Sequence, residues 1–213
     1  MAIDIFDFWS QIGRAEKIHP ADRAVFDRVQ HGFDHTSLPG CFMGPLRTAP
    51  VVLLFLSPGK SDGDTVTEAL LDWHVRTRLG NAPLVSREEH APAFEWWVSR
   101  TKCFGSADEL RDKVAVMNIG AYHSEAFNDR AMLSALPSSR ASLDWAQGVL
   151  FPEAIAGKRV VICLRSAEHW GLKRGGKYGE SLFAPEVTRG GHMTNGPMRD
   201  EIIVAVKKAL KFN

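Results

Sequence analysis

The run Val51-Val-Leu-Leu-Phe-Leu56 restricts the fold more than any other stretch, because it stands between Pro50 and the turn chemistry of Ser57-Pro58-Gly59. Six consecutive apolar residues are too few for a buried helix and carry no polar face. They read as a strand covered on both sides, the kind found in parallel sheets. Asp62-Gly63 then supplies a turn, and Thr65-x-x-Glu68 has the spacing of a capping box that opens a helix. Open parallel α/β sheets bind ligands outside the carboxyl ends of their strands, so Ser57 to Asp64 is expected to form the floor of a site.

Further strands follow the same pattern of an apolar run broken by polar residues. Val114 to Asn118 breaks into Asn118-Ile-Gly-Ala-Tyr-His-Ser124, and Arg159 to Leu164 breaks into Arg165-Ser-Ala-Glu-His-Trp-Gly171. Residues Ser181 to Thr188 suggest a fourth strand, placed at an edge by Pro185, which leads into Arg189-Gly-Gly-His-Met-Thr-Asn-Gly-Pro197. Helices are expected between them: Ile3 to Ile12, His19 to Val29, Ala69 to Leu79, Ala91 to Phe104, Ser139 to Ala156, and a last one in which Met198, Ile202, Ile203, Val206 and Leu210 share a face. Residues His35 to Pro50, with three prolines and two glycines, read as a lead-in loop. Strands alternating with helices imply a three-layer α/β/α fold on a four-stranded parallel sheet, with residues 1–213 one domain and 1–37 its helical lead-in. The four polar breaks are then expected along one rim.

Composition narrows the class. A chain of 213 residues that is 45% apolar fits one domain with a substantial core. No apolar run approaches a membrane span and the amino terminus carries acids, so a soluble cytoplasmic protein is expected, with no membrane partner. Cys41, Cys103 and Cys163 stand apart, which argues for buried thiols and against disulfides, metal or an iron–sulfur cluster, and no cofactor is expected. Net charge is +1, yet residues 158–213 hold 11 Lys and Arg against five Asp and Glu, a local +6 against −5 elsewhere. That asymmetry suits a polyanion, although solvated basic faces are common.

The order of the four breaks resembles that of the uracil-DNA glycosylase superfamily, chiefly its members whose first motif ends in a polar residue followed by Pro-Gly. The similarity spans roughly residues 38–210 as an ordered series of short motifs. It implies a base-excising hydrolase of DNA repair, with DNA or a nucleotide as partner. Carried over, Ser57 takes the water-positioning place, with Pro58 and Gly59 beside it, Asn118 the base-reading place, and His192 the late-loop place that stabilises the departing base. Two departures accompany it: Ser57 replaces a carboxylate or amide, and residues 191–197 lack the usual His-Pro-Ser run.

The residues fit those roles chemically. A flipped-out base is read along its Watson–Crick edge, which asks for a carboxamide such as that of Asn118, although a strand-end Asn also caps turns. His192 stands among glycines, which permit close approach to a ligand, and Lys60, Lys173, Arg174, Lys177 and Arg189 are candidates for phosphate contact. Trp73, Tyr122 and Phe127 are possible stacking partners, with core packing the more ordinary role. Leu54 stands where a P-loop needs glycine, no Gly-x-Ser-x-Gly elbow occurs, and Gly32 spoils the one His-x-x-x-His pair, His31 and His35. Two expectations remain, a DNA glycosylase and a non-catalytic nucleotide or nucleic-acid binder, the latter favoured by Ser57, whose hydroxyl is no base near neutral pH.

Overall fold

Strand β2 (Val51–Phe55) lies at the centre of the sheet with every residue buried, and its side chains alternate between two separate cores. Val52, Leu54 and Leu56 enter one, while Val51, Leu53 and Phe55 enter the other. This period-2 partition of an all-apolar run is what a strand covered on both faces requires. The computed structural model describes residues 4–59, 67–124 and 130–211.

The chain begins with α1 (Ile5–Trp9) and α2 (Arg23–Phe26), then β1 (Phe42–Met43), β2, α3 (Glu68–Arg78), α4 (Arg87–Thr101), α5 (Ala107–Leu110) and β3 (Val114–Asn118). It continues through α6 (Arg130–Ala135), α7 (Pro137–Trp145), a wider π turn at Ala146–Leu150, α8 (Phe151–Ile155), β4 (Val160–Cys163), β5 (Gly176–Tyr178), β6 (Leu182–Ala184) and α9 (Pro197–Lys211). Among the described residues the sheet has six strands in the order β1-β3-β2-β4-β6-β5, not the four expected. The four expected strands form its parallel centre, and β1 and β5 add antiparallel edges. Both extra strands were hidden by brevity: β1 is two residues inside the proline- and glycine-rich lead-in, and β5 lies in a basic segment without alternation. β6 is not an edge, because β5 covers it, and Pro185 falls just beyond its last residue.

Helices cover both faces. Residues of α1, α7 and α8 pack with Val52, Leu54 and Leu56, whereas those of α3, α4, α5 and α9 pack with Val51, Leu53 and Phe55. In α9, Ile202 and Val206 are buried from the stripe that marks it in the sequence. Several helix limits moved. The side chain of Thr67 accepts from Leu70 N and caps α3, while Thr65 lies outside the described residues. α4 starts four residues earlier than expected, at a capping box between Ser86 and Glu89, and is broken by non-helical His90 (φ −162°, ψ 94°) ahead of Pro92. α2 ends at Phe26, leaving Val29 47% exposed.

A buried polar knot ties the lead-in to the body. Asp22 Oδ2 accepts from Tyr122 Oη at 2.6 Å, Asp22 Oδ1 accepts from Ser138 N at 2.9 Å, and Tyr122 Oη accepts from His19 N at 3.1 Å. Leu136, the residue before α7, has no side-chain acceptor to offer, so Asp22 satisfies an orphan N–H of that helix from 116 positions away in sequence. No helix among the described residues is long and apolar enough to cross a membrane.

Candidate functional site

A cavity of about 260 Å³ opens at the carboxyl ends of β2 and β3, on the side of the sheet covered by α3 and α4. Its position follows from local chemistry. Ser57-Pro58-Gly59 stops β2, and Phe55 pairs with Asn118 at the last register position of β3, so both chain breaks open into the same space. α3 contributes Leu70, Trp73 and His74, an i, i+3, i+4 set on one helix face. The kink in α4 brings His90, Pro92, Ala93 and Trp96 to the opposite wall.

Asn118 is 9% exposed, and its backbone N–H donates to Cys41 O at 2.6 Å. Its carboxamide makes no hydrogen bond to a described residue and lines the cavity, so a donor and an acceptor face that space, open to a ligand. Burial, with smaller contributions from Arg78, His123 and His90, pushes the His74 imidazole down to about 3, which leaves it neutral at physiological pH. His123 Nδ1 lies 2.8 Å from Gly59 O, and since a carbonyl only accepts, Nδ1 carries the proton and pins the first motif. Trp73 Nε1 is buried without an acceptor, and Trp96 packs against Phe55 with ring centroids 4.8 Å apart. Among the described lining residues there is no Asp, Glu, Lys or Arg. The space is therefore shaped by aromatic rings and read by neutral hydrogen-bonding groups.

No family model, curated protein or solved structure matches this chain.

Ser57, Pro58, Gly59 and Asn118 are brought together as expected; His192 is not. Its loop lies across Phe55 from the cavity, where a Cβ placed on Gly191 (φ +79°) would sit 3.0 Å from Phe55 Cε1 and 3.5 Å from Arg165 Cδ. His192 is exposed, its N–H meets Thr188 Oγ1 at 3.3 Å, and its pKa is lowered by partial burial, then by Arg100 and Lys102. The expected single rim is thus divided by the side chain of Phe55, with Trp96 packed on it.

The candidate phosphate contacts scatter too. Lys60 lies outside the described residues. Lys177 pairs with Glu201 at 2.7 Å, Arg174 pairs with Glu186 at 2.5 Å and donates to Val187 O, and Lys173 is exposed beside Tyr178. Arg189 and Arg174 line a second cleft. Of the aromatic candidates, Trp73 lines the cavity, Tyr122 is consumed by the Asp22 knot, and Phe127 lies outside the described residues. Sequence reasoning missed His74, His90 and Trp96. For His74 a signal existed in the Leu70, Trp73, His74 spacing; for the α4 residues it did not, because the kink decides which way they face. His31 and His35 sit 4.7 Å apart in an aromatic cluster around Phe26, and among the described residues no group of three or more His, Cys, Asp or Glu is placed to hold a metal ion.

Proposed function

We propose that the cavity takes one nucleobase, turned out of a DNA strand, and that the reaction it serves is hydrolysis of the N-glycosidic bond of a damaged or deaminated base such as uracil. The observation that carries this reading is the carboxamide of Asn118, a largely buried residue, facing the cavity at the carboxyl ends of two parallel strands without a hydrogen bond to a described residue. A carboxamide offers donor and acceptor side by side, the pattern that the edge of a uracil-like base complements. Trp96, Trp73 and Phe42 supply flat apolar surface for the ring. In bond cleavage, charge grows on the departing base, and a neutral imidazole in a dry pocket stabilises it by a hydrogen bond that strengthens in the transition state. His74 is better placed for this than His192, which lies outside the cavity. The Ser57 hydroxyl supplies a hydrogen bond to water without serving as a base.

A second reading, a base or nucleotide binder that cleaves nothing, is favoured by the lack of any carboxylate among the described lining residues. The two separate in one experiment: uracil- and hypoxanthine-containing oligonucleotides incubated with the protein and with Asn118→Ala. The glycosylase reading expects base release, reduced about 100-fold or more in the variant. Binding that depends on Asn118 without release supports the binder. Neither release nor binding defeats both.

A further inference from the structure

A second cleft, of about 410 Å³, lies at the carboxyl ends of β4 and β6, beside the strands that carry the Asn118 cavity. Its basic side chains are Arg165, Arg174 and Arg189, its acid is Glu168, and Ser166 and Thr188 add hydroxyls. Arg174 is committed to Glu186 at 2.5 Å, whereas Arg165 and Arg189 make no ion pair with a described residue. Arg100 lies behind the same loop, its Nη2 donating to Gly190 O at 3.1 Å and its guanidinium 4.9 Å above the Trp96 ring. Its Nε is buried with no hydrogen-bond partner. Arg100 thus holds Gly190, and at the next residue a Cβ on Gly191 would lie 3.5 Å from Arg165 Cγ and Cδ, so the two arginines flank one loop; burial and then the charge of Arg165 lower the Arg100 pKa. Like charges left in that state are relieved by an anion, and planar guanidinium forks match phosphate oxygens.

We propose that this cleft binds phosphate, with Arg165 and Arg189 contacting its oxygens and Arg100 supplying charge from behind, and that the phosphate belongs to the nucleic acid whose base enters the Asn118 cavity. The second half rests on the base reading above. The geometry supports the pairing, since Trp96 lines the base cavity and also lies under Arg100, while a Cβ on Gly191 would come within 3.0 Å of Phe55 Cε1 and 3.5 Å of Arg165 Cδ. The neutral, aromatic space stands at the ends of β2 and β3 and the cationic one at the ends of the adjoining β4 and β6. That is the division a nucleotide itself makes between base and phosphate.

The test measures binding of a single-stranded oligonucleotide carrying one uracil across a salt series. Losing two phosphate contacts flattens the slope of log K against log salt by about 1.4 on a single strand. Arg165→Gln/Arg189→Gln is expected to flatten it by that amount and weaken binding at low salt at least tenfold. Glu168→Gln is expected to tighten binding, an effect that damage to the fold does not mimic. Lys158→Gln/Lys208→Gln, a charge-matched pair at the amino edge of the sheet, is expected to change little. Equal effects from the two double variants, or none from the arginine pair, overturn the proposal. Titrations with free uracil and with dUMP complete the set. Uracil binding that needs Asn118 beside inert arginines leaves the base reading standing and removes the cleft. An arginine-dependent slope beside absent uracil binding does the reverse. Arginine-dependent dUMP binding with no strand binding assigns the phosphate to a free nucleotide.

Discussion

At the scale of single residues, the cavity depends on groups denied their usual partners. The Asn118 carboxamide makes no hydrogen bond to a described residue, and His74 is held neutral by burial well below the ordinary imidazole range, at about 3. The second fact sets a pH dependence. Between pH 6.5 and about 3 the unfolded chain takes up a proton at this site that the folded chain refuses, so stability is complete above 6.5 and falls as the solution is acidified. The loss is at most about 1.4 kcal/mol per pH unit for one group. His35, lowered by burial and by His31, acts in the same direction. Urea unfolding at pH 7.5 and pH 5 is expected to show a smaller drop in His74→Gln than in the parent; an identical drop in both removes His74 as the cause. Asn118 itself was legible, as the polar end of an apolar run. For His74 the helical spacing with Leu70 and Trp73 marks the face it shares, but its neutrality does not show in the letters, because it comes first from burial and then from Arg78, His123 and His90.

At the scale of elements, what the letters revealed depended on length and regularity. α9 spans 15 residues with a single apolar stripe, and its bounds and buried face were both readable. β1 and β5, two and three residues long, carry too few positions for any period to emerge, and their pairing partners alone make them strands. The break at His90 splits the period of α4, which is why its first turn went unread despite the Ser86 and Glu89 capping box. The lead-in depends on tertiary contact in the same way. α2 is four residues long, too short to persist alone, and the Asp22, Tyr122, His19 and Ser138 bonds hold it down. Burial and the neighbouring Asp22 carboxylate push the Tyr122 phenol well above its ordinary range, so it remains a hydrogen-bond donor. Tyr122→Phe leaves one Asp22 oxygen without its bond, and chemical denaturation is expected to register a loss of roughly 1–3 kcal/mol. A variant as stable as the parent would mean that water replaces the hydroxyl.

For the molecule as a whole, β2 is the structural centre, and the consequence is quantitative. Leu53 is fully buried, between β3 and β4, in the core shared by α3, α4 and α9. Leu53→Ala is expected to cost about 2–5 kcal/mol in cooperative unfolding, while Val204→Ala, at a side chain 68% exposed, stays within about 0.5 kcal/mol. Comparable losses at the two sites would show that burial in β2 does not dominate stability. The parallel centre, the helices on both faces and the meeting of Ser57 with Asn118 follow from patterns contained in the letters, since an all-apolar strand must be covered twice and parallel strands present their polar ends on one side. The antiparallel edges, the partition of the rim by Phe55 and Trp96, the exclusion of His192 from the base cavity and the unpaired arginines of the second cleft were settled by folding. Each depends on which side chain from a remote segment occupies a given space, and periodicity along a chain carries no record of that.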